Sequence, residues 1–118
     1  MNIYKEKDVK KSSALISLLS IILLFCMAQM VDAADLAAGE QVFSANCTAC
    51  HAGGNNAIMP EKTLKKDALE ENSMNSIAAI TTQVTNGKNA MPAFGGRLSE
   101  EDIQNVANYV LSQSEQGW

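Results

Sequence analysis

The chain is 118 residues long and carries a formal net charge of −4, with three cysteines and one histidine. Its last 85 residues hold ten acidic and five basic side chains, a net charge of −5 that argues against nucleic-acid binding and permits attraction to a basic partner surface. At that length they make one small domain with a limited hydrophobic core.

Residues 1–33 are predicted to be a cleaved signal peptide, and residues 34–118 the mature domain. Four lysines between positions 5 and 11 make a basic start, an apolar run covers residues 14–28, and Val31-Asp32-Ala33 offers small residues to a signal peptidase. The apolar run has 15 residues, fewer than the ~20 that a membrane-spanning helix needs. A membrane anchor is therefore disfavoured, and we expect no stable membrane insertion after cleavage.

The mature chain is predicted to begin with a helix over residues 36–46, which Asp35 can cap. Small and apolar residues recur along one face of this helix at Leu36, Gly39, Val42 and Phe43. The helix leads directly into Cys47-Thr48-Ala49-Cys50-His51, which has the C-x-x-C-H spacing of a c-type haem attachment site.

Each residue type in this motif has a role in haem chemistry. Two thiols three positions apart on a helical turn can add to the two vinyl groups of one haem, and a histidine directly after them can ligate the iron. Cys47 and Cys50 are therefore the candidate attachment residues for one haem c. His51, the only histidine of the chain, is the candidate axial ligand.

Other uses of the motif fit the sequence less well. A structural zinc site needs about four Cys or His ligands, and beyond the motif the chain offers only Cys26, in the leader. A thioredoxin-like pair would lie near a βαβ pattern, and no strand pattern is visible. A disulfide between Cys47 and Cys50 would leave His51 without a role.

The remaining elements are also predicted to be helical. A loop rich in turn-forming residues covers 52–60, and a short helix is predicted over 66–71. Ser73 is expected to cap a helix over 74–86, which Gly87 ends.

The last helix has the clearest signals. Ser99 and Asp102 form a capping-box-like pair, and Leu98 and Ile103 can form a hydrophobic staple around it. An apolar stripe then follows at Ile103, Val106, Ala107, Val110 and Leu111. We expect this stripe to pack on the first helix, where Gly39 allows a close approach. The predicted fold class is all-α, with about four helices around one covalently bound haem.

A sixth iron ligand must come from a residue other than histidine, and methionine is the natural candidate. Met74 is expected to lie in the core, whereas Met59 and Met91 each precede a proline, which keeps the preceding residue extended. Met59 lies eight residues after His51 and would have to reach the opposite haem face through a short loop. Met91 follows His51 by 40 residues on a second arm, so Met91 is preferred and Met59 remains the alternative.

These residues resemble the cytochrome c6 family of soluble photosynthetic electron carriers. The match rests on residues 34–43, the C-x-x-C-H motif, Gly53-Gly54-Asn55-Asn56, residues 87–94 and Tyr109-Val110-Leu111. The resemblance implies a small class I cytochrome c fold. It also implies haem linked through Cys47 and Cys50, with His51 and Met91 as axial ligands.

The resemblance further implies a monomeric electron carrier that is not an enzyme. Its expected partners are cytochrome f of the cytochrome b6f complex and photosystem I, in the thylakoid lumen of an algal plastid or a cyanobacterium. By the same resemblance, Gln83 lies close to the haem and Arg97 takes part in docking to photosystem I.

Ligation by histidine and methionine predicts outer-sphere electron transfer, because a saturated iron binds and releases nothing as it cycles. Partners are expected to meet the exposed haem edge among small uncharged residues, namely Ala57, Ile58, Ala90 and Pro92. A peroxidase-like or gas-binding cytochrome would need an open iron and a distal acid–base group, for which the chain has no second histidine. A subunit of a respiratory oxidase is expected to carry a membrane span or a long extension.

Overall fold

The structure, a computed structural model, describes residues 34–118, and the predicted signal peptide lies outside the described residues. Within these described residues, five α-helices follow one another: α1 (Leu36–Asn46), α2 (Thr48–His51), α3 (Lys66–Glu71), α4 (Ile77–Asn86) and α5 (Glu100–Gln116). A 3-10 turn, Ala52–Gly54, comes directly after α2. Residues 34–118 contain isolated β-bridges but no strand, which confirms the all-α prediction. None of their helices combines the length and apolar character needed to cross a bilayer.

α1 has the predicted bounds and the predicted cap. The Asp35 carboxylate accepts a hydrogen bond from the Ala38 amide at 3.0 Å, which satisfies one of the free N–H groups of the first turn. The helix crosses α5 at Gly39, where a Cβ atom would clash with the Asn105 backbone and lie 2.8 Å from Tyr109 Cβ. The expected close approach of the first and last helices is therefore confirmed.

The predicted start of the helix after α3 is wrong by three residues. α4 begins at Ile77, and its cap is Ser76, whose hydroxyl accepts a hydrogen bond from the amide three residues later at 3.1 Å. Ser73 instead has a φ of +57° and helps to end α3, because the N–H of the next residue, Met74, donates to the Leu69 carbonyl at 2.7 Å. Ser73 and Ser76 both precede the same apolar run, so the sequence signals a helix cap at either position. Ser76 is the cap because Ser73 is already part of the turn that ends α3.

α5 begins with the predicted capping box. Ser99 Oγ accepts from the Asp102 N–H at 3.0 Å, and the Asp102 carboxylate accepts from the Ser99 N–H at 3.2 Å. Ile103 is buried and Leu98 packs against the core, as the predicted staple requires.

The hydrophobic core lies where α5 packs against α1 and α4. Its buried side chains are Phe43, Leu69, Ile80, Val84, Phe94, Ile103, Val106, Ala107 and Val110. Four half-buried residues that bear on the site also pack against this core: Cys47, Met74, Met91 and Trp118. The core thus contacts both the C-x-x-C-H motif, through Cys47, and the candidate ligand Met91.

Candidate haem site

The C-x-x-C-H motif is folded into the short helix α2, directly after α1. The Cys47 N–H donates to the Phe43 carbonyl at 2.8 Å, while the Cys47 carbonyl accepts from the N–H groups of Cys50 and His51 at 3.1 and 2.8 Å. Both thiols are free, with Cys50 exposed and Cys47 half-buried against the core. One helical turn therefore holds two thiols three positions apart, the spacing that two vinyl groups of a haem require.

Burial changes the acidity of the first thiol. It raises the pKa of Cys47 to about 11, and repulsion from the nearby Cys50 adds to the rise. In the folded chain the Cys47 thiol is therefore protonated at neutral pH and is a weak nucleophile.

His51 ends α2, is half-buried and has one ring nitrogen engaged. Its Nδ1 lies 3.0 Å from the backbone carbonyl oxygen of Asn55. When Nδ1–H donates to that carbonyl, Nε2 keeps a free lone pair for a metal. The 3-10 turn brings Asn55 back to the ring through Gly53 and Gly54, whose φ angles are +61° and +72°.

Met91 is held in a tight turn directly after α4. Lys88 and Met91 exchange two backbone hydrogen bonds of 3.0 Å, and Asn89 between them has a φ of +53°. Gly87 ends the helix with a φ of +67°, and a Cβ atom there would lie 2.6 Å from the Met91 carbonyl oxygen. A glycine at position 87 thus allows the turn that carries Met91 to fold back against α4.

The three methionines within residues 34–118 differ in their surroundings. Among residues 34–118, Met74 and Met91 pack against the core, and Met59 is not one of the residues that do so. The Met59 N–H donates to Asn56 Oδ1 at 2.9 Å, within the loop that follows α2. The Met91 sulfur accepts from Gln83 Nε2 at 3.6 Å, so this sulfur alone of the three has an oriented polar neighbour within the described residues.

Gln83 links the Met91 sulfur to α4 and borders a surface groove. The groove has a volume of about 540 Å³ and runs along α4 from Met74 to Lys88, with Gln83 in its wall. Neither His51 nor Met91 lines it. The groove therefore lies beside the candidate site, and Gln83 is the residue common to both.

Two residues near the site had no predicted role. The Asn56 side chain accepts from the Ile58 and Met59 amides at 3.1 and 2.9 Å, and its Nδ2 donates to the Lys62 carbonyl at 2.9 Å. Asparagine in a turn-rich segment is a usable signal for such an Asx turn. Trp118 Nε1 donates to the Leu64 carbonyl at 2.9 Å across 54 residues, a contact that no local pattern signals.

The donor atoms fit a covalently held haem. Two thiols on one helical turn, an imidazole with Nε2 available and a thioether on a separate arm are the groups that hold haem c. Zinc is disfavoured, because within residues 34–118 no three His, Cys, Asp or Glu side chains converge to hold an ion.

Residues 34–110 match the family model described as "Cytochrome C oxidase, cbb3-type, subunit III". The chain is 78% identical over 90 residues to cytochrome c6 of Gracilaria tenuistipitata var. liui, which covers 76% of this chain and 83% of that protein. It is 70% identical over 109 residues to cytochrome c6 of Pyropia yezoensis, with coverage of 92% and 98%.

A solved structure gives the same result for the fold. Cytochrome c6 from the diatom Phaeodactylum tricornutum matches with a TM-score of 0.69 and 63% identity, over 71% of this chain and 99% of that chain. The predicted small class I cytochrome c fold and the predicted haem c cofactor are confirmed. The chain carries the cytochrome domain that the family model describes, and at the finer level it belongs to the cytochrome c6 family, the haem c electron carriers of photosynthesis.

Proposed function

We propose that this protein carries single electrons from cytochrome f of the cytochrome b6f complex to photosystem I, in the thylakoid lumen of an algal plastid or a cyanobacterium. In this proposal Cys47 and Cys50 hold haem c, and His51 and Met91 ligate its iron. The observation that carries the proposal is the pairing of an imidazole oriented by Asn55 with a thioether oriented by Gln83. Membership of the cytochrome c6 family supports the photosynthetic partners.

Haem c, when bound, supplies one iron that alternates between the ferric and ferrous states. The protein's own contribution is to hold two axial side chains still. The Asn55 carbonyl fixes the His51 ring, and the Lys88–Met91 turn fixes the thioether. Because both ligands come from the chain, no external ligand needs to bind or leave, and a thioether favours a higher potential than a second nitrogen ligand.

Exposed apolar side chains next to the two arms are the proposed contact surface for partners. Ile58 is 62% exposed, and Ala57, Ala90 and Pro92 are exposed as well. Asn56 holds the backbone of Ile58, so this side chain is presented to solvent by a fixed turn. A surface of a few small uncharged side chains suits a short-lived redox encounter, which buries less than about 1,200 Å².

Arg97 is the charged residue that we propose to orient the encounter with photosystem I. Its guanidinium carbon lies 5.1 Å from the centre of the Phe94 ring, and the backbone N–H of Arg97 donates to the Phe94 carbonyl at 2.9 Å. The ion pair of residues 34–118 joins Lys66 to Glu115 and leaves Arg97 available. Arg97 thus presents a positive charge on the turn that follows the Met91 arm.

The experiment that tests this proposal measures two electron-transfer steps of the purified holoprotein, acceptance from cytochrome f and delivery to photosystem I. We expect the ferric protein to accept electrons from isolated cytochrome f, and the ferrous protein to reduce flash-oxidised photosystem I at a rate that rises with its concentration. Failure to reduce photosystem I, with the weak red band of methionine–Fe(III) ligation intact, would contradict the partner assignment alone. A missing red band would contradict the ligand assignment.

One observation favours a second candidate function, electron delivery to a respiratory oxidase: the matching family model carries the description of an oxidase subunit. Oxygen uptake by oxidase-containing membranes supplied with the ferrous protein distinguishes the two. Uptake that is faster than photosystem I reduction at equal concentration would favour the respiratory role.

A further inference from the structure

Trp118 contacts both ends of the loop that follows His51. Its ring lies flat on Gly54, where a Cβ atom would come within 2.6 Å of Trp118 Cδ1. Its Nε1–H donates to the Leu64 carbonyl at 2.9 Å, and the Leu64 N–H in turn donates to the Gly54 carbonyl at 2.7 Å. One indole therefore holds together the two backbone segments that begin and end this loop.

The same loop supplies the carbonyl that orients the imidazole. Asn55 is the residue directly after Gly54, and its carbonyl oxygen lies 3.0 Å from His51 Nδ1. Its N–H is bonded back to the Ala52 carbonyl at 3.2 Å. The position of this carbonyl thus depends on the backbone at Gly54, which the indole covers on one side.

Trp118 is itself held by several contacts. Its ring centre lies 5.3 Å from that of Phe43 on α1 and 6.2 Å from that of Tyr109 on α5, the latter in a T-shaped arrangement. The backbone N–H of Trp118 donates to the Gln113 carbonyl at 3.1 Å. Gly117, the residue before it, ends α5 with a φ of +92°. The indole is therefore a fixed support and not a loosely placed side chain.

We infer that Trp118 is a positioning residue for His51, acting through Gly54, Leu64 and the Asn55 carbonyl. The inference rests on the proposed ligation of iron by His51. A hydrogen bond to the outer nitrogen of a ligating histidine fixes the ring plane and raises the basicity of the ligand. Loss of the indole contacts should consequently alter the imidazole orientation and the redox potential, in addition to stability.

The test compares holoprotein variants that separate the indole N–H from the ring. Trp118→Phe keeps an aromatic ring on Gly54 and removes the donor to Leu64, whereas Trp118→Ala removes both. Tyr109→Phe is the control within the aromatic cluster, and Val110→Ala is the control for a general loss of core packing. The measurements are amide hydrogen exchange at Leu64, the paramagnetic NMR shifts of the haem methyl groups and the redox potential.

We expect Trp118→Phe to speed exchange at Leu64 by roughly fivefold, since one net hydrogen bond is lost, and to change the pattern of haem methyl shifts. Trp118→Ala should change both further, while Tyr109→Phe and Val110→Ala leave the methyl shift pattern as it is. The inference is overturned if the pattern stays unchanged in both Trp118 variants, or if Val110→Ala changes it equally. Absence of histidine ligation in the unsubstituted protein would instead overturn the proposed function itself.

Discussion

Single hydrogen bonds decide how the candidate axial side chains are presented. The backbone carbonyl of Asn55 engages one nitrogen of His51, and the amide of Gln83 contacts the sulfur of Met91 at 3.6 Å. Neither contact needs a rare residue type. What matters is that a side chain able to bind metal is held by a neighbour that leaves the binding atom free.

The choice between the two Met-Pro candidates can be tested by single substitutions. Met91→Ala should abolish the weak red band of the ferric protein and lower the redox potential by on the order of 0.1 V or more, because the soft sulfur ligand is lost. Visible absorption and a redox titration of the holoprotein measure both effects. Met59→Ala is the matched control and should keep the band and the potential. A band that survives in the Met91 variant would identify Met91 as the wrong choice.

At the level of elements, close contacts and caps determine where helices end and how they cross. Gly39 allows α1 to lie against the Asn105 backbone of α5, and Gly87 allows the Met91 turn to lie against the end of α4. Ser76 and Ser99 start α4 and α5 through side-chain hydrogen bonds to the amide three residues later. Because these residues determine helix packing and helix ends, we expect their substitution to change the free energy of unfolding.

The helix crossing predicts that Gly39→Ala destabilises the protein, although alanine is the better helix former. Crowding against α5 should cost about 1–3 kcal/mol in the free energy of unfolding, against a propensity gain of about 1 kcal/mol or less. Denaturant titration of the holoprotein measures the balance. Gln41→Ala, at an exposed position of the same helix, is the control and should change stability by less than about 0.5 kcal/mol. A Gly39→Ala variant more stable than the parent would show that the two helices do not pack as closely as described.

The two serines before α4 should respond in opposite directions. Ser76→Ala removes the cap and should lower the free energy of unfolding by about 1 kcal/mol. Ser73→Gly should raise it by up to about 1 kcal/mol, because glycine adopts the positive φ of +57° at that position without strain. Thermal or denaturant unfolding of the two variants gives both signs. Destabilisation by Ser73→Gly that equals the effect of Ser76→Ala would place the cap at Ser73.

Across the whole molecule, most of the fold could be predicted from the sequence, as could the helical turn that carries the proposed haem attachment residues. The cap at Asp35, the capping box at Ser99 and the motif from Cys47 to His51 are local signals, and each lies where expected. One failure is local, the choice of Ser73 over Ser76 as the cap of α4. Two others were not signalled by the local sequence. Leu36, which shares the predicted small and apolar face of α1, is 44% exposed. The support that Trp118 gives to Leu64 spans 54 residues.

The charge distribution of the molecule leads to a prediction about docking. Residues 34–118 have a net charge of −5 and only five basic side chains. Arg97→Glu should slow the reduction of photosystem I at low salt, because a positive charge that orients the encounter becomes negative. High salt should narrow the difference by screening. Flash kinetics at several ionic strengths measure the rates.

Lys65→Glu makes the same change in net charge at another exposed position and serves as the control. Absorption spectra and potentials of both variants should match those of the parent protein. Equal slowing by the two variants would attribute the effect to total charge, and no slowing by Arg97→Glu at low salt would leave that residue without a docking role.

The crossing of the first and last helices also affects when, during folding, the thiols of the C-x-x-C-H motif are accessible. The Asp35 N–H finds its partner at Asn105, 70 residues later, so α1 lacks its packing partner until nearly the whole domain is available. A chain that emerges from its N-terminal end therefore offers both thiols of the motif before the partner helix exists. Once α5 has docked, Cys47 is half-buried and its pKa is about 11. The long-range contact thus sets an interval in which the Cys47 sulfur is as open to modification as that of Cys50. Completion of the fold ends this interval for Cys47, whereas Cys50 stays exposed.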